Sequence, residues 1–441
     1  MSLKILTSPN SGKKLIEELK EKLKELKIDA NNILLFTTNS TKRDAKSVMK
    51  VLKERYPEAE IAGCNVEGYM TKNCAWSRGI ALMLIDCDKM SIAHSLGKSA
   101  KEAFSSLNRK LREKKKVVLF PMVSIPSEIN VLKLLFYDKM YYYKYKRAED
   151  LEEKRRILSE CSKILESKMI FPPNSGLREM SGEVAGLCLI PLSAGYRTPV
   201  LYTKGKECHR CCVGVGLSKV KMHFYDVFPE RGKSFEETFE ILKNYFSKVD
   251  RAECFFSGIA IGEVNGLTAT EFLKKVIGAK EIKEESLKEE KLKKGNLPLV
   301  SPYGLAFVSK ETFGSCMLGL QSYPINIYPS TFELDKFYRE CIFSGEMFKG
   351  GITDFYGMLD KVKTDTFKFF SIDHNTIPMF SKSVHKLRRE IASRFEGDFL
   401  GIFSLSAYKS EKLDRRYISE IEKGICFNGT GTATVVEVDL Q

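Results

Sequence analysis

Short apolar runs, each closed off by polar or glycine-containing punctuation, alternate along this chain with amphipathic stretches. That alternation limits the fold more than any other feature. ILLF (33–36), AEIAG (59–63), GIALMLI (79–85) and VVLF (117–120) are too short for core helices and read as strands. Between them, residues 11–28 place Leu15, Leu19, Leu23 and Leu26 on one helical stripe. Residues 42–55 do the same with Ala45, Val48, Met49 and Leu52, and Pro57 ends that helix. The chain therefore opens α-β-α-β-β. Further helices are expected over 99–114, 149–168, 235–247 and 383–395, with a capping box formed by Thr268 and Glu271 ahead of Phe272. Strands are expected near 304–308, 316–320 and 325–328 and in GTATVVEV, whereas DFLGIFSLSAY reads as a connecting loop. The fold class is α+β, with mixed, largely antiparallel sheets covered by helices in two related regions, 1–220 and 221–441. A nearly all-charged insertion occupies about 280–296.

At 441 residues the chain exceeds what one core serves efficiently, which agrees with two regions. Its 43% hydrophobic and 29% charged residues are those of a soluble globular protein, and no apolar run approaches the roughly 20 residues that span a bilayer. The N-terminus lacks the apolar core of a secretory signal. The twelve cysteines are scattered, several inside apolar runs, so free thiols in a reducing cytoplasm are expected. The net charge of +14 is spread through mixed-sign helices such as EELKEKLKELK. It reads as surface solvation, because no nucleic-acid module or basic stripe with stacking aromatics accompanies it. The tyrosine-rich KMYYYKYKRAED reads as an amphipathic cover.

The stretch KECHRCC gathers Cys208, His209, Cys211 and Cys212. Placed on the returning strand of a hairpin that turns at TKGK, these side chains alternate between two faces. Four ligands on one strand cannot converge on a tetrahedral metal, so the expectation is a thiol-rich strand with no metal and no cofactor.

A better binding candidate is the turn where the AEIAG strand ends, with Gly63, Cys64, Asn65, Glu67 and Gly68. Strand ends present backbone N–H groups and short polar side chains, and the glycines let backbone approach a ligand. The plain alternative is a tight loop in which Asn65 bonds its own backbone. Cys64 raises the alternative of a thiol-dependent hydrolase or transferase, but no histidine stands in a signature that would make it a partner. Asp373 and His374 are adjacent on a strand and face apart, so they read as a turn and not as part of a triad. In NGTGTAT the threonines share one strand face, where they can bond one another or a ligand.

Taken in order, ILLFTTNS, AEIAGCNVEGYM, RGIALMLI, AIGEVNGLTATEFLKKVIG, FLGIFSLSAYKSE and CFNGTGTATVVEV resemble the successive motifs of FIST-domain proteins, with both N- and C-terminal FIST regions. The resemblance covers nearly the whole chain from about residue 30. It departs at Leu405, Ser406 and Ala407, where the family has Tyr-Gly-Glu, and in FFSIDHNTIPMF, which lacks the family's Cys-x-x-Arg. The resemblance implies a stand-alone sensory protein in signal transduction that binds a small polar ligand, an amino acid or small carboxylate, without catalysis. It adds Asn428 and Thr430, in the closing Asn-x-Thr strand, to the candidate ligand residues. Output would pass through a protein partner that the motifs do not identify, and an interaction scaffold is the other non-enzymatic reading.

Overall fold

The computed structural model describes residues 2–87, 90–122, 128–168, 171, 173–189, 199–226, 234–258, 260–277, 304–308, 313–317, 326–327, 337–348, 352–373, 384–410, 425–428 and 432–438. The chain begins β1 (Ser2–Ser8), α1 (Gly12–Glu25), β2 (Asn32–Thr37), α2 (Ala45–Arg55), β3 (Glu60–Asn65), β4 (Gly68–Thr71), β5 (Ala75–Trp76), β6 (Ile80–Asp86) and β7 (Met90–Leu96). It continues α3 (Ala100–Lys110), β8 (Lys115–Pro121), α4 (Glu128–Arg147), α5 (Leu151–Lys168), α6 (Pro173–Leu177), β9 (Glu183–Leu189), β10 (Leu201–Thr203), β11 (Lys206–Cys208), β12 (Cys211–Leu217) and β13 (Val220–Asp226). Next come α7 (Phe235–Tyr245), β14 (Phe246–Ser257), β15 (Ala260–Val264), α8 (Ala269–Ile277), β16 (Gly304–Val308), β17 (Phe313–Met317), β18 (Asn326–Ile327) and β19 (Phe337–Phe348). The last elements are α9 (Ile352–Leu359), β20 (Phe367–Asp373), α10 (Val384–Ala392), β21 (Phe399–Ser410), β22 (Ile425–Asn428) and β23 (Thr432–Val438).

Two sheets face each other. The first has the order β1-β6-β2-β3-β10-β11, and the second runs β13-β23-β20-β21-β9-β8-β12-β7, with β4 and β22 attached along β21 and β5 attached to β4. Alternation along each strand sorts its side chains into two layers. Leu34, Phe36, Ala62, Cys64 and Met83 of the first sheet meet Val117, Leu119, Leu187, Phe369, Leu400 and Ile402 of the second, which makes the central core. The opposite face of the first sheet, with Ile33, Leu35, Ile61 and Leu82, lies under α1 and α2 through Leu15, Leu19, Val48 and Leu52. The opposite face of the second sheet is covered by α9 and α10 over Phe370, Ile372 and Phe399, and by α3 over Val118, Phe120 and Val184. The result is a helix–sheet–sheet–helix sandwich of the α+β class.

A third sheet, β17-β16-β19-β14-β15-β18, stands apart from the sandwich. The α4–α5 pair packs on it: Ser162 donates to the Ser257 carbonyl at 2.8 Å, and Lys154 pairs with Glu263 at 3.3 Å. The tyrosine-rich stretch is the end of α4. Tyr141 and Tyr145 are buried there and Tyr143 is exposed, so the expected cover is present on one face.

Four sequence expectations change. β1 pairs antiparallel with β6 and adds a strand ahead of the first helix. DFLGIFSLSAY is no loop: β21 is the hub strand of the second sheet, pairing β20 and β4 through its first half and β9 and β22 through its second. Its apolar run is buried on both faces, a pattern that periodicity alone does not separate from other short apolar stretches. CHRCC is not one strand but two strand ends joined through His209 and Arg210. Finally, the division near residue 220 crosses the second sheet, which draws β7, β8, β9 and β12 from one side of it and β13, β20, β21 and β23 from the other. The charged stretch 280–296 lies outside the described residues.

Candidate functional site

Residues 65–67 carry the chain from the first sheet into the second. Asn65 closes β3: its N–H donates to the Val200 carbonyl at 3.0 Å and its Oδ1 accepts from the Val200 N–H at 2.6 Å, a two-bond clamp onto the segment that leads into β10. The Val66 N–H still bonds the first sheet, at the Thr37 carbonyl (2.7 Å). One residue later, the Glu67 N–H donates to the Phe403 carbonyl of β21 at 3.0 Å, and Gly68 continues as β4 along that strand. The turn is therefore a corner of the sandwich, and its side chains project toward the interior.

The interior at this corner is polar. On β20 the inward positions run Phe367, Phe369, Ser371, Asp373, and on β21 they run Leu400, Ile402, Ser404, Ser406, so the apolar half of each strand gives way to a polar end. Asp373 and Ser404 are register partners in the parallel β20–β21 pair. Thr434 of β23 stands opposite Ser371. All five polar side chains are buried. Ser371 Oγ donates to the Gly186 carbonyl at 2.9 Å and lies 3.1 Å from Ser406 Oγ, while Ser404 Oγ donates to the Cys188 carbonyl at 2.7 Å.

Glu67 enters this cluster only 2% exposed. Burial, with the negative charge of Asp373 adding to it, pushes its carboxyl well above the usual range, and hydrogen bonds from its own backbone and from Ser404 offset only part of that. Glu67 Oε2 and Thr434 Oγ1 have no hydrogen-bond partner among the described residues. Buried oxygens without partners are costly.

The residues singled out in the sequence separate here. Asn65 and Glu67 belong to the corner, and Gly68 passes it into β4. Gly63 does not line it: an added Cβ would meet Leu35 O of β2 at 1.8 Å, so this glycine serves strand packing. Cys64 is equally a strand residue, buried in the central core. Burial first, and the charge of Glu67 second, push its thiol well up, so the nucleophile considered for it has no thiolate at neutral pH. In folded, reduced protein, iodoacetamide at neutral pH is expected to leave Cys64 and Cys188 unlabelled and to reach partly exposed thiols such as Cys74, Cys87 and Cys208 first. Rapid labelling of Cys64, read by peptide mass, would restore the thiol-enzyme reading. Asn428 pairs through its backbone with Ala407, and Thr430 lies outside the described residues.

Sequence reading gives the threonines of NGTGTAT, Thr434 among them, a place on one strand face, but it misses Ser371, Asp373, Ser404 and Ser406. Asp373 had been read as a backbone-bonding turn residue; it is a fully buried side chain facing Glu67. The signal was available in FFSID and FSLSAY, where small polar residues replace apolar ones at alternate positions, once both segments are taken as buried strands.

Comparison with known proteins agrees with this architecture. A model of the FIST N domain matches residues 31–142, from the strand before the corner into α4. A model of the AF0772-like protein C-terminal domain matches 236–349, which is α7 and the third sheet. An uncharacterized protein of Archaeoglobus fulgidus is 30% identical over 375 residues, covering 83% of this chain and 97% of the relative. FIST domains are associated with sensing and signal transduction, and no helix among the described residues is long and apolar enough to cross a membrane. The N-terminal motifs, the C-terminal match and the near-full-length relative together place the chain in the family of FIST-domain proteins.

Proposed function

We propose that this chain is a sensory binding protein that holds a small amino-group-bearing ligand, of amino-acid size, at the polar corner and performs no chemistry on it. The observation that carries this reading is the Glu67 carboxyl, buried beside Asp373 with one oxygen unpartnered. A ligand ammonium would pair the open oxygen of Glu67 and draw Glu67 into its charged form, with the charge of Asp373 adding to the attraction. The clamp from Asn65 to Val200 holds the backbone around it. This chemistry favours the amino-acid half of the sequence expectation over a ligand bearing only a carboxylate, which two acidic side chains would repel.

Thermal denaturation against a panel of amino acids, simple amines and amine-free carboxylates tests it. A ligand specific for the native state at 100 times its Kd adds about 2.7 kcal/mol, a rise of several degrees. The expected hits carry an amine, and Glu67→Leu should abolish the shift while keeping the fold. Hits confined to carboxylates, a shift retained in Glu67→Leu, or a silent panel would each defeat the reading.

A further inference from the structure

The thiol-rich stretch plays no part in the corner at 65–67, yet it forms the neighbouring corner. β11 ends at Cys208 on the edge of the first sheet, and β12 begins at Cys211 inside the second. Only His209 and Arg210 make the crossing. Arg210 adopts the left-handed region, with φ 47°. Three contacts hold it there. Its carbonyl accepts from the Gly97 N–H at 3.2 Å, and its guanidinium donates to the carbonyls of Lys98 and Glu166.

This bend undoes the splaying that an unbroken strand would impose. Cys208 and Cys211 come together with Cα atoms 6.3 Å apart and their sulfurs bonded, inside the roughly 4.4–6.8 Å that a disulfide spans. The two are not equivalent. Cys208 is partly exposed and Cys211 is fully buried, which is the asymmetry of a C-x-x-C pair that meets a partner thiol through one sulfur only. Cys212 does not compete: it faces the α3 side, with its Sγ 3.9 Å from the Ser95 carbonyl. His209 Nδ1 is buried without a hydrogen-bond partner among the described residues, so the crossing segment carries an imidazole nitrogen next to the pair in sequence.

Position gives the pair a consequence. Cys208 is the register partner of Leu201, and Leu201 is the register partner of Cys64 in β3. Immediately ahead of Leu201, Val200 makes both bonds of the Asn65 clamp. β10 and β11 are three residues each, and the cross-link adds a covalent tie to the second sheet beside the core packing of Leu201 and Cys208.

We propose that Cys208 and Cys211 are a reversible redox switch, whose disulfide staples the two sheets beside the Asn65–Glu67 corner and whose reduction loosens β10 and β11. The reductant is a dithiol. Its thiolate attacks Cys208 Sγ; the Cys208–Cys211 bond breaks, and Cys211 leaves as a thiolate that takes a proton from solvent. The second thiolate of the reductant then attacks the reductant's own sulfur in the mixed disulfide and releases Cys208. Two electrons pass to the protein pair and the reductant ends as a disulfide. Oxidation by a small disulfide runs the same exchange in reverse. The regulatory meaning of the switch rests on the binding reading given above, whereas the switch itself does not.

The test uses the full chain without ligand. Protein equilibrated in graded mixtures of reduced and oxidised dithiothreitol is denatured, alkylated and weighed, and hydrogen exchange is followed in both end states. Two thiols are expected to titrate together as one two-electron step and to map to Cys208 and Cys211; in Cys208→Ser the step should vanish and Cys211 should be alkylated in every mixture. Amides 200–203 should exchange at least about tenfold faster in reduced protein than in oxidised protein. Reduced wild type gives this comparison even if the serine variant folds poorly. Thiols that stay free throughout, stoichiometric zinc released on alkylation of these two cysteines, or equal exchange in both states would overturn the switch. A silent ligand panel leaves it standing, and a ligand shift with unchanged exchange defeats the switch alone.

Discussion

Gly63→Ala is expected to lower folding stability by about 3 kcal/mol or more, for the addition of one methyl group. The added carbon would lie 1.8 Å from Leu35 O and 2.7 Å from Leu35 C, both backbone atoms of the adjacent parallel strand β2. A side chain can turn away from such a clash, but backbone held on its far side by β6 cannot. Urea unfolding should show the midpoint falling at unchanged slope. Gly357→Ala supplies the opposite sign. It sits in α9 with nothing within 4 Å of an added Cβ, so alanine there should gain roughly 0.5–1 kcal/mol through lost freedom in the unfolded chain. If Gly63→Ala matched wild type, the close approach of β2 and β3 at this point would be wrong.

The second large effect belongs to pH. Glu67 has its native pKa raised well above the ordinary 4.5. Between those two values the native state keeps a proton that the unfolded state has released. The contribution of this group to stability is therefore complete below about pH 4.5 and declines as pH rises toward the native pKa, at up to about 1.4 kcal/mol per pH unit. This is opposite in sign to a salt-bridged carboxylate. Glu67→Gln keeps the shape, stays neutral and removes the decline. The difference in unfolding free energy between the variant and wild type should thus move in favour of glutamine from pH 5 to pH 8. Parallel pH profiles for the two proteins would show that Glu67 is charged in the native state and that the corner is wetter than its burial implies.

Much of this molecule was legible one element at a time. The leucine stripe of α1, the buried face of α2 and the Thr268–Glu271 cap all stand where their spacing placed them. The Thr203–Lys206 turn of the β10–β11 hairpin does too. These depend on neighbours three or four residues away, or on a single turn, and local sequence contains all the information they need. Asn65 and Glu67 come from the same logic, a polar turn at the end of an apolar strand, and the structure buries both side chains there.

What escaped was everything that depends on which strands meet. Ser371 and Ser404 look like incidental small residues until β20 and β21 lie side by side and Glu67 arrives from the other half of the chain. Cys208 and Cys211 looked doomed to face apart, because an extended backbone was assumed across them; the crossing between sheets at His209 and Arg210 reversed that. The sequence alone determined the amphipathic helices, the first buried strands and the family, since these follow from periodicity and short-range order, but not β1 or the hub strand β21. Tertiary structure decided the polar corner and the cysteine pair. Both are made by contacts between residues distant along the chain or by a change of direction that no local pattern encodes, and pairing energy between strands is settled only when the whole sandwich closes.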